Sequence, residues 1–385
     1  MGLLTSRDGR GGDRAARLCA LVFAALLAFA PAAQAETIRI AYFHTELSAK
    51  GPGLLLRDLL KEKRPKKLDA VLNILSRSAA DIVVLGGIDY DAGGQTLRAL
   101  QAALTKSGLP LPHAFAGAPN TGVPTGYDLD GDGRREEPED AQAFGEFRGA
   151  GGLAVLSRYP ILRDEVLEFS GLLWSAFPAA DLPALPEPAA LEVLRLSSTG
   201  HWDVPILLPD GSHLHLLPLH ATPPVFDGPE DRNGRRNADQ QRFWADYLNG
   251  WTPAPQRALG PQAVVIGTLN ADPQDGEARP GAVARLHSHP KLQDPAPTAP
   301  GAAEASARQG GVNTSQRGDP ALDTVDWPDD RPNDPGNLRV DYILPSRTLS
   351  VVESGLHWPE AAEAELLEEA ETASRHRLIW VDLAF

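Results

Sequence analysis

Val265-Ile-Gly267-Thr268-Leu-Asn270-Ala-Asp272-Pro is an apolar, β-branched run that opens abruptly into polar residues. Such a run reads as a buried strand, and the polar residues after it collect where the strand ends. The design recurs along the chain. His213-Leu-His215-Leu-Leu-Pro-Leu-His220 runs into Ala-Thr222-Pro-Pro, then Asp227, Asp231, Arg232, Asn233 and Asn237. Arg339-Val-Asp341-Tyr-Ile-Leu-Pro is a strand with one carboxylate inside it, and Ser374-Arg375-His376 precedes a last apolar run at 378–383. A carboxylate on one strand beside a histidine at the start of another makes an acid–base pair, with Asp341 orienting His376. Taken singly, each of these residues reads equally as an ordinary strand-end cap.

Outward from these runs, strands and helices alternate. Residues 37–43, 81–85, 152–157 and 206–208 read as further strands. Helical periodicity lies over 68–75 (Leu68, Val71, Leu72, Ile74, Leu75), 97–105 and 359–371. Asn237 and Gln240 have capping-box spacing, which predicts a helix opening there and carrying Phe243, Trp244, Tyr247 and Leu248. From Asp272 to Asn337 the composition turns to Pro, Gly, Asp and Ala with little periodicity, predicting a long irregular surface loop. The pattern argues one large α/β or α+β domain over 36–385.

Composition excludes several classes. The 385 residues are 42% hydrophobic and 23% charged, enough apolar content for a core and unlike a disordered or fibrous chain. Lys+Arg 36 against Asp+Glu 51 leaves a net charge of −15, with no basic arm. A phosphate backbone would meet a repulsive field, so nucleic acid is a disfavoured partner. Arg7, Arg10, Arg14 and Arg17, the apolar stretch 18–30 and Ala33-Gln34-Ala35 predict a secretory signal peptide over 1–35, cut before Glu36. That reading makes the protein periplasmic or secreted, monomeric and without a membrane span. The single cysteine, Cys19, would leave with the signal, excluding disulfides and thiolate chemistry.

In order and spacing, Gly152-Leu-Ala-Val-Leu-Ser157-Arg158-Tyr-Pro160-Ile, His220 with its followers, Arg339-Val-Asp341-Tyr and Ser374-Arg375-His376 resemble the endonuclease/exonuclease/phosphatase family, over nearly all of 37–385. The resemblance implies two mixed β-sheets packed face to face and flanked by helices, a four-layer sandwich. It further implies a site at one edge where a divalent cation, Mg2+ or Mn2+, binds a phosphoester and water attacks phosphorus. His220, Asn270, Asp341 and His376 match residues that in the family grip phosphate or relay protons. Glu46 stands where some members carry a carboxylate on the first strand.

Four positions depart from the family pattern. His44 replaces an asparagine, Gly87 the metal-binding glutamate, Thr268 an aspartate, and Arg375 the aspartate of Ser-Asp-His. Losing one key group commonly costs ~10²–10⁴ in rate, so losing these together argues against a working metal site. Arg375 and His44 then become candidate anion-binding groups, since a guanidinium forks onto phosphate or carboxylate without dissociating. The leading expectation is a catalytically impaired pseudoenzyme binding a phosphorylated or anionic small molecule. Two alternatives stand beside it: an active hydrolase whose metal has moved to Glu46, Asp89, Asp91 or Asp272 with His44, and an interaction protein using the 272–337 loop.

A separate cation signal lies at Asp128-Leu-Asp130-Gly-Asp132-Gly133-Arg-Arg-Glu-Glu-Pro-Glu139. Its D-x-D-x-D-G-x5-E spacing wraps Ca2+ with alternate carboxylates and a twelfth-position glutamate. This predicts Asp128, Asp130, Asp132 and Glu139 as ligands. His287-Ser-His289, with no evident partner, reads as solvent-exposed.

Overall fold

The computed structural model describes residues 1–3, 37–253 and 258–385, and the fold belongs to the unit Thr37–Phe385. The expected signal sequence therefore falls outside the described residues, apart from its first three. Among the described residues no helix is long and apolar enough to cross a membrane.

The first sheet contains β1 (Thr37–His44), β2 (Ile82–Ile88), β3 (His113–Phe115) and β4 (Gly152–Ser157). The second begins with β5 (Leu167–Glu168), β6 (Trp202–Leu207), β7 (His213–His220) and β8 (Ala263–Thr268). A two-stranded ribbon pairs β9 (Val325–Asp326) with β10 (Asn337–Leu338). The second sheet then takes β11 (Asp341–Pro345), and the first takes β12 (Ser350–Leu356) and β13 (Ile379–Ala384). The orders are β12-β13-β1-β2-β4-β3 and β11-β8-β7-β6-β5. Both sheets are mixed: β1 runs parallel to β2 and β7 parallel to β8, while their other pairings are antiparallel.

Strand period two explains the layering. Ile38, Ile40 and Tyr42 of β1, Leu214 and Leu216 of β7, Val264 and Ile266 of β8 and Ile343 of β11 form the core between the sheets around Trp202. The alternate residues point outward. Ala41, Phe43, Val83 and Leu85 meet α1 (Leu54–Leu59), α2 (Lys66–Ser78) and α3 (Gln95–Lys106), whereas Leu217, Leu219, Val265 and Leu344 meet α4 (Arg232–Leu248). The result is the four-layer sandwich that the family resemblance implied. Strands buried on both faces need continuous apolar runs, which is why they were visible in the sequence.

Three expectations are corrected. Helix α4 starts at Arg232 with Asp231 as N-cap, more than a turn before the predicted capping box. Asn237 and Gln240 are instead buried on its inner face: Asn237 donates to the carbonyls of Thr222 and Leu269, and Gln240 to that of Leu196. The 272–337 stretch is not an irregular loop. It contains α5 (Ala284–His287), α6 (Pro300–Gln309) and the β9–β10 ribbon, with two 3-10 turns. Ala302 and Ala305 of α6 enter the inter-sheet core, so small residues without strong periodicity mark close packing here. Helix α7 (Ala364–Ala373) precedes β13. His287 also differs from expectation, its Nε2 lying 2.8 Å from Asp294 Oδ2, and His289 is buried.

Within this segment Asp323 is 6% exposed and its Oδ2 has no hydrogen-bond partner. Burial, then repulsion from Asp272, Asp275 and Asp319, pushes its carboxyl up from 3.8 to about 8. Folding therefore takes up a proton between these values, so stability declines as pH rises from about 4 to about 8 and flattens above. Asp323→Asn is expected to leave the Tm near pH 4 unchanged and raise it at pH 8. A shift of equal size at both pH values would assign the effect to packing.

Candidate active site

The same alternation that builds the core carries polar residues to its open end. His44 continues the inward face of Ile40 and Tyr42, His220 that of Leu214 and Leu216, Thr268 that of Val264 and Ile266, and Asp341 that of Ile343. Register aligns them: His220 pairs with Thr268, Thr268 with Asp341, and His44 with Gly86. His376 lies just before β13, held by a bridge between Val325 and His376. The structure thus brings His44, His220, Asp341 and His376 to one end of the sandwich.

A hydrogen-bonded chain links both sheets there. His376 Nδ1 lies 2.8 Å from Asp341 Oδ2, and Thr268 Oγ1 donates to Asp341 Oδ1. A carboxylate only accepts, so Nδ1 carries the proton on His376, and Thr268 spends its one hydrogen on Asp341. Tyr42 Oη, 2.8 Å from Thr268 Oγ1, is then the donor in that contact. Burial, then the Asp341 charge, holds the Tyr42 phenol well above its ordinary value. The backbone N–H of Asp341 donates to Thr324 Oγ1. The expected Asp341–His376 pair is present, with Thr268 as a further member. Asn270, with φ +49°, donates to the carbonyl of Ala221 at 2.8 Å and stabilises the turn after β8.

The His44 ring sits 4.8 Å from that of His220 and 4.4 Å from that of His376, centroid to centroid. Both His44 ring nitrogens and His220 Nδ1 are buried without partners. Burial, then the neighbouring His376, His220, Arg375 and Lys67, pushes His44 well below its ordinary pKa. Burial first and His376 second lower His220 to about 4, against an opposing pull from Asp341. Both imidazoles are therefore neutral at pH 7.

The carboxylates that the sequence offered for a relocated cation accept hydrogen bonds from the chain, while Glu139 and Glu146 line the cleft without an ion pair among the described residues. Glu46 is gripped by Arg375, whose Nε donates to Oε1 at 2.8 Å and whose backbone N–H donates to Oε2 at 3.0 Å. Burial would raise the Glu46 carboxyl, but the Arg375 bonds prevail and bring it to about 2. Arg375 is thereby committed to Glu46 instead of forming the open anion-binding cation that the sequence suggested. Asp89 accepts from Ser48 and from the backbone of Ala49 and Gly151. Asp91 caps α3 through the N–H groups of Gln95 and Thr96, and Asp272 accepts from Gln274, Asp275 and Arg339. Glu46, Asp89, Asp91 and Asp272 are thus each held by hydrogen bonds from the chain, whereas His44, expected alongside them, keeps both ring nitrogens unpartnered.

Glycines make the room for His44. A Cβ at Gly86 would lie 2.7 Å from His44 Cδ2, and one at Gly87 would lie 2.9 Å from Cε1. Gly87 also has φ +66° at the irregularity where β2 loses register with β4. The imidazole fills the space into which a side chain at 87 would project.

His44 and His220 face a cleft of about 760 Å3 whose walls include Leu129, Phe144, Val225 and Phe226. Arg232 and Arg236, one turn apart at the start of α4, also line it, and among the described residues neither forms an ion pair. Arg232 Nη1 is buried without a partner. Arg236 donates to the carbonyls of Arg195, Leu196 and Ser197, and burial, then the Arg232 charge, lowers it to about 9. Arg236 was missed in the sequence, and Arg232 was noted only as one of the polar residues after His220, because the helix was started too late. Their i,i+4 spacing was the available signal.

The acidic loop folds differently from the spacing rule. Carboxylate oxygens of Asp128, Asp130 and Asp140 lie within 4.8 Å of one another, a group that leaves out Asp132 and Glu139. Asp132 bonds the Arg134 N–H, and Glu139 faces the cleft.

Residues 58–376 match the sequence profile described as the Endonuclease/Exonuclease/phosphatase family. No curated protein matches the chain. Among solved structures it is similar to an endonuclease/exonuclease/phosphatase from Beutenbergia cavernae, at 17% identity over 91% of this chain and 72% of that one, with a TM-score of 0.51. A family protein from Leptotrichia buccalis is 16% identical over 90% and 100%, with a TM-score of 0.49. Truncated TDP2 of Caenorhabditis elegans is 14% identical over 91% and 98%, with a TM-score of 0.43.

Proposed function

The chain belongs to the endonuclease/exonuclease/phosphatase family, and from that premise we propose that its sheet-end site binds a phosphorylated or other anionic small molecule without metal-dependent turnover. The family is generally divalent-metal dependent, and the residues present here do not fit that cation. Mg2+ and Mn2+ take oxygen ligands. At this site Gly87 offers none, Asp341 is spent on Thr268 and His376, and Glu46 is spent on Arg375.

One observation carries the reading: in a chain of net charge −15, the cleft holds two arginines without carboxylate partners beside two imidazoles with vacant nitrogens. The first turn of α4 adds the positive end of a helix dipole. The apolar walls favour a small ligand with an apolar part over a polynucleotide strand. As a further part of this reading the protein is exported, the signal being cut before Glu36.

The test is hydrolysis of bis(p-nitrophenyl) phosphate and p-nitrophenyl phosphate with Mg2+, Mn2+ or chelator, alongside titration with sulfate. Saturable sulfate binding with no metal-dependent turnover is the expected result. Turnover that needs metal and disappears in His220→Ala would overturn it. Sulfate keeps its charge through this range, so its affinity reads protein groups alone. An anion favours the charged imidazole, and His220 titrates at about 4 in the free protein. Affinity is therefore expected to strengthen as pH falls from 7 to 5, with proton uptake measured by calorimetry in two buffers. His220→Gln should flatten that slope.

A further inference from the structure

We propose that Asp128, Asp130 and Asp140 form a calcium site that fastens one wall of the cleft. The three come from the two ends of a short loop, and their carboxylate oxygens lie within 4.8 Å of one another. Calcium with bonds of ~2.3–2.6 Å spans such separations. Asp140 supplies the second, independent observation. It is 1% exposed, its carboxylate accepts from the Leu129 N–H at 2.7 Å, and its Oδ2 is buried with no hydrogen-bond partner.

A buried carboxylate with an unpartnered oxygen, grouped with two further carboxylates, is costly unless a cation joins them. The chain supplies no such cation: among the described residues Asp128, Asp130 and Asp140 form no ion pair. The arginines of the loop are directed elsewhere, Arg134 to Asp132 and Glu137 and Arg135 to Glu187. An all-oxygen donor set excludes a metal that prefers imidazole or thiolate. Asp130 is exposed and Asp128 half-buried, leaving room for the waters that complete roughly six to eight ligands around Ca2+. Mg2+ demands a near-ideal octahedron that an irregular loop does not preform.

The ligand set departs from the spacing in the sequence for a structural reason. Pro138 opens the 3-10 turn Pro138–Asp140, which carries Asp140 inward while Glu139 faces the cleft. The ion would tie this turn to Asp128 and Asp130. Leu129, Glu139 and Ala141 belong to the cleft wall, and the Asp140 carbonyl accepts from Thr125 N and Oγ1. Occupancy would hold that wall in place. The proposal does not depend on the anion-binding reading, because its readout uses the ion alone.

Calorimetry and thermal unfolding of the chelator-treated full chain, titrated with Ca2+ or Mg2+, test it. Saturable Ca2+ binding that raises the Tm is expected, in the ~10⁻⁴–10⁻³ M range of extracellular sites. Asp130→Asn alters an exposed residue and should keep the fold while weakening Ca2+ at least tenfold, as should Asp140→Asn. Asp132→Asn and Glu139→Gln should bind as the unaltered chain does. Absence of a Ca2+ effect, an unaffected Asp130→Asn, or equal losses in Asp132→Asn and Glu139→Gln would each overturn the site. An equal response to Mg2+ would overturn the choice of ion.

Discussion

Gly87→Glu is expected to destabilise the protein by about 3 kcal/mol, with part of the loss recovered in the double variant with His44→Asn. Two terms contribute. A non-glycine residue in the left-handed region costs roughly 1–2 kcal/mol, and φ at Gly87 is +66°. Overpacking adds roughly 1–3 kcal/mol, because a Cβ there meets His44 Cε1 at 2.9 Å. Shortening His44 relieves the imidazole's share of the second term and leaves the first, together with the 3.0 Å approach to the Glu46 backbone nitrogen. Denaturant unfolding of the four proteins of the cycle measures the coupling, expected at about 1–2 kcal/mol. Simple additivity would mean that His44 does not occupy the space a side chain at 87 needs. The same contact bears on the proposed function: a glutamate at 87, which the family resemblance implies, would meet the His44 imidazole already in that space.

The second large effect is Asp341→Ala, expected to cost about 2–5 kcal/mol, since two buried donors lose their acceptor at roughly 1–3 kcal/mol each. Asp341 is fully buried and serves Thr268, His376 and the register of β11 with β8. Its loss strands the Thr268 hydroxyl and the His376 Nδ1–H without an acceptor, each an unsatisfied buried donor. Asp341→Asn keeps an acceptor for only one of them and should fall between. The drop is read by thermal and denaturant unfolding. A cost under about 1 kcal/mol would show that water replaces the carboxylate, and that the Tyr42–Thr268–Asp341–His376 chain does not hold the two sheets together at this end.

Much of this was legible in the chain. Val264 to Thr268 and Leu214 to His220 are apolar runs that stop at a polar residue, and a strand buried on both faces cannot be written otherwise. The face that His44, His220, Thr268 and Asp341 share was not legible, because runs apolar on both faces show no alternation and the register between strands sets it. The 272–337 segment was misread because α6 packs through Gly301, Ala302 and Ala305, small residues that carry little hydrophobic periodicity yet fit close to the core. The start of α4 was misread because Asn237 and Gln240 imitate a cap, while their amides satisfy carbonyls of neighbouring loops. That error hid Arg236 and the pair it makes with Arg232.

The sequence by itself determined which residue types stand where the strands end, because residue identity and the end of an apolar run are local properties. Tertiary structure alone decided how the remaining charges pair. Whether Arg375 faces a ligand or Glu46, whether Arg232 and Arg236 go unneutralised, and whether Asp140 or Glu139 joins Asp128 depend on contacts between segments far apart in the chain. Electrostatic energy falls with distance through space and is indifferent to sequence separation. No spacing rule along the chain contains that distance.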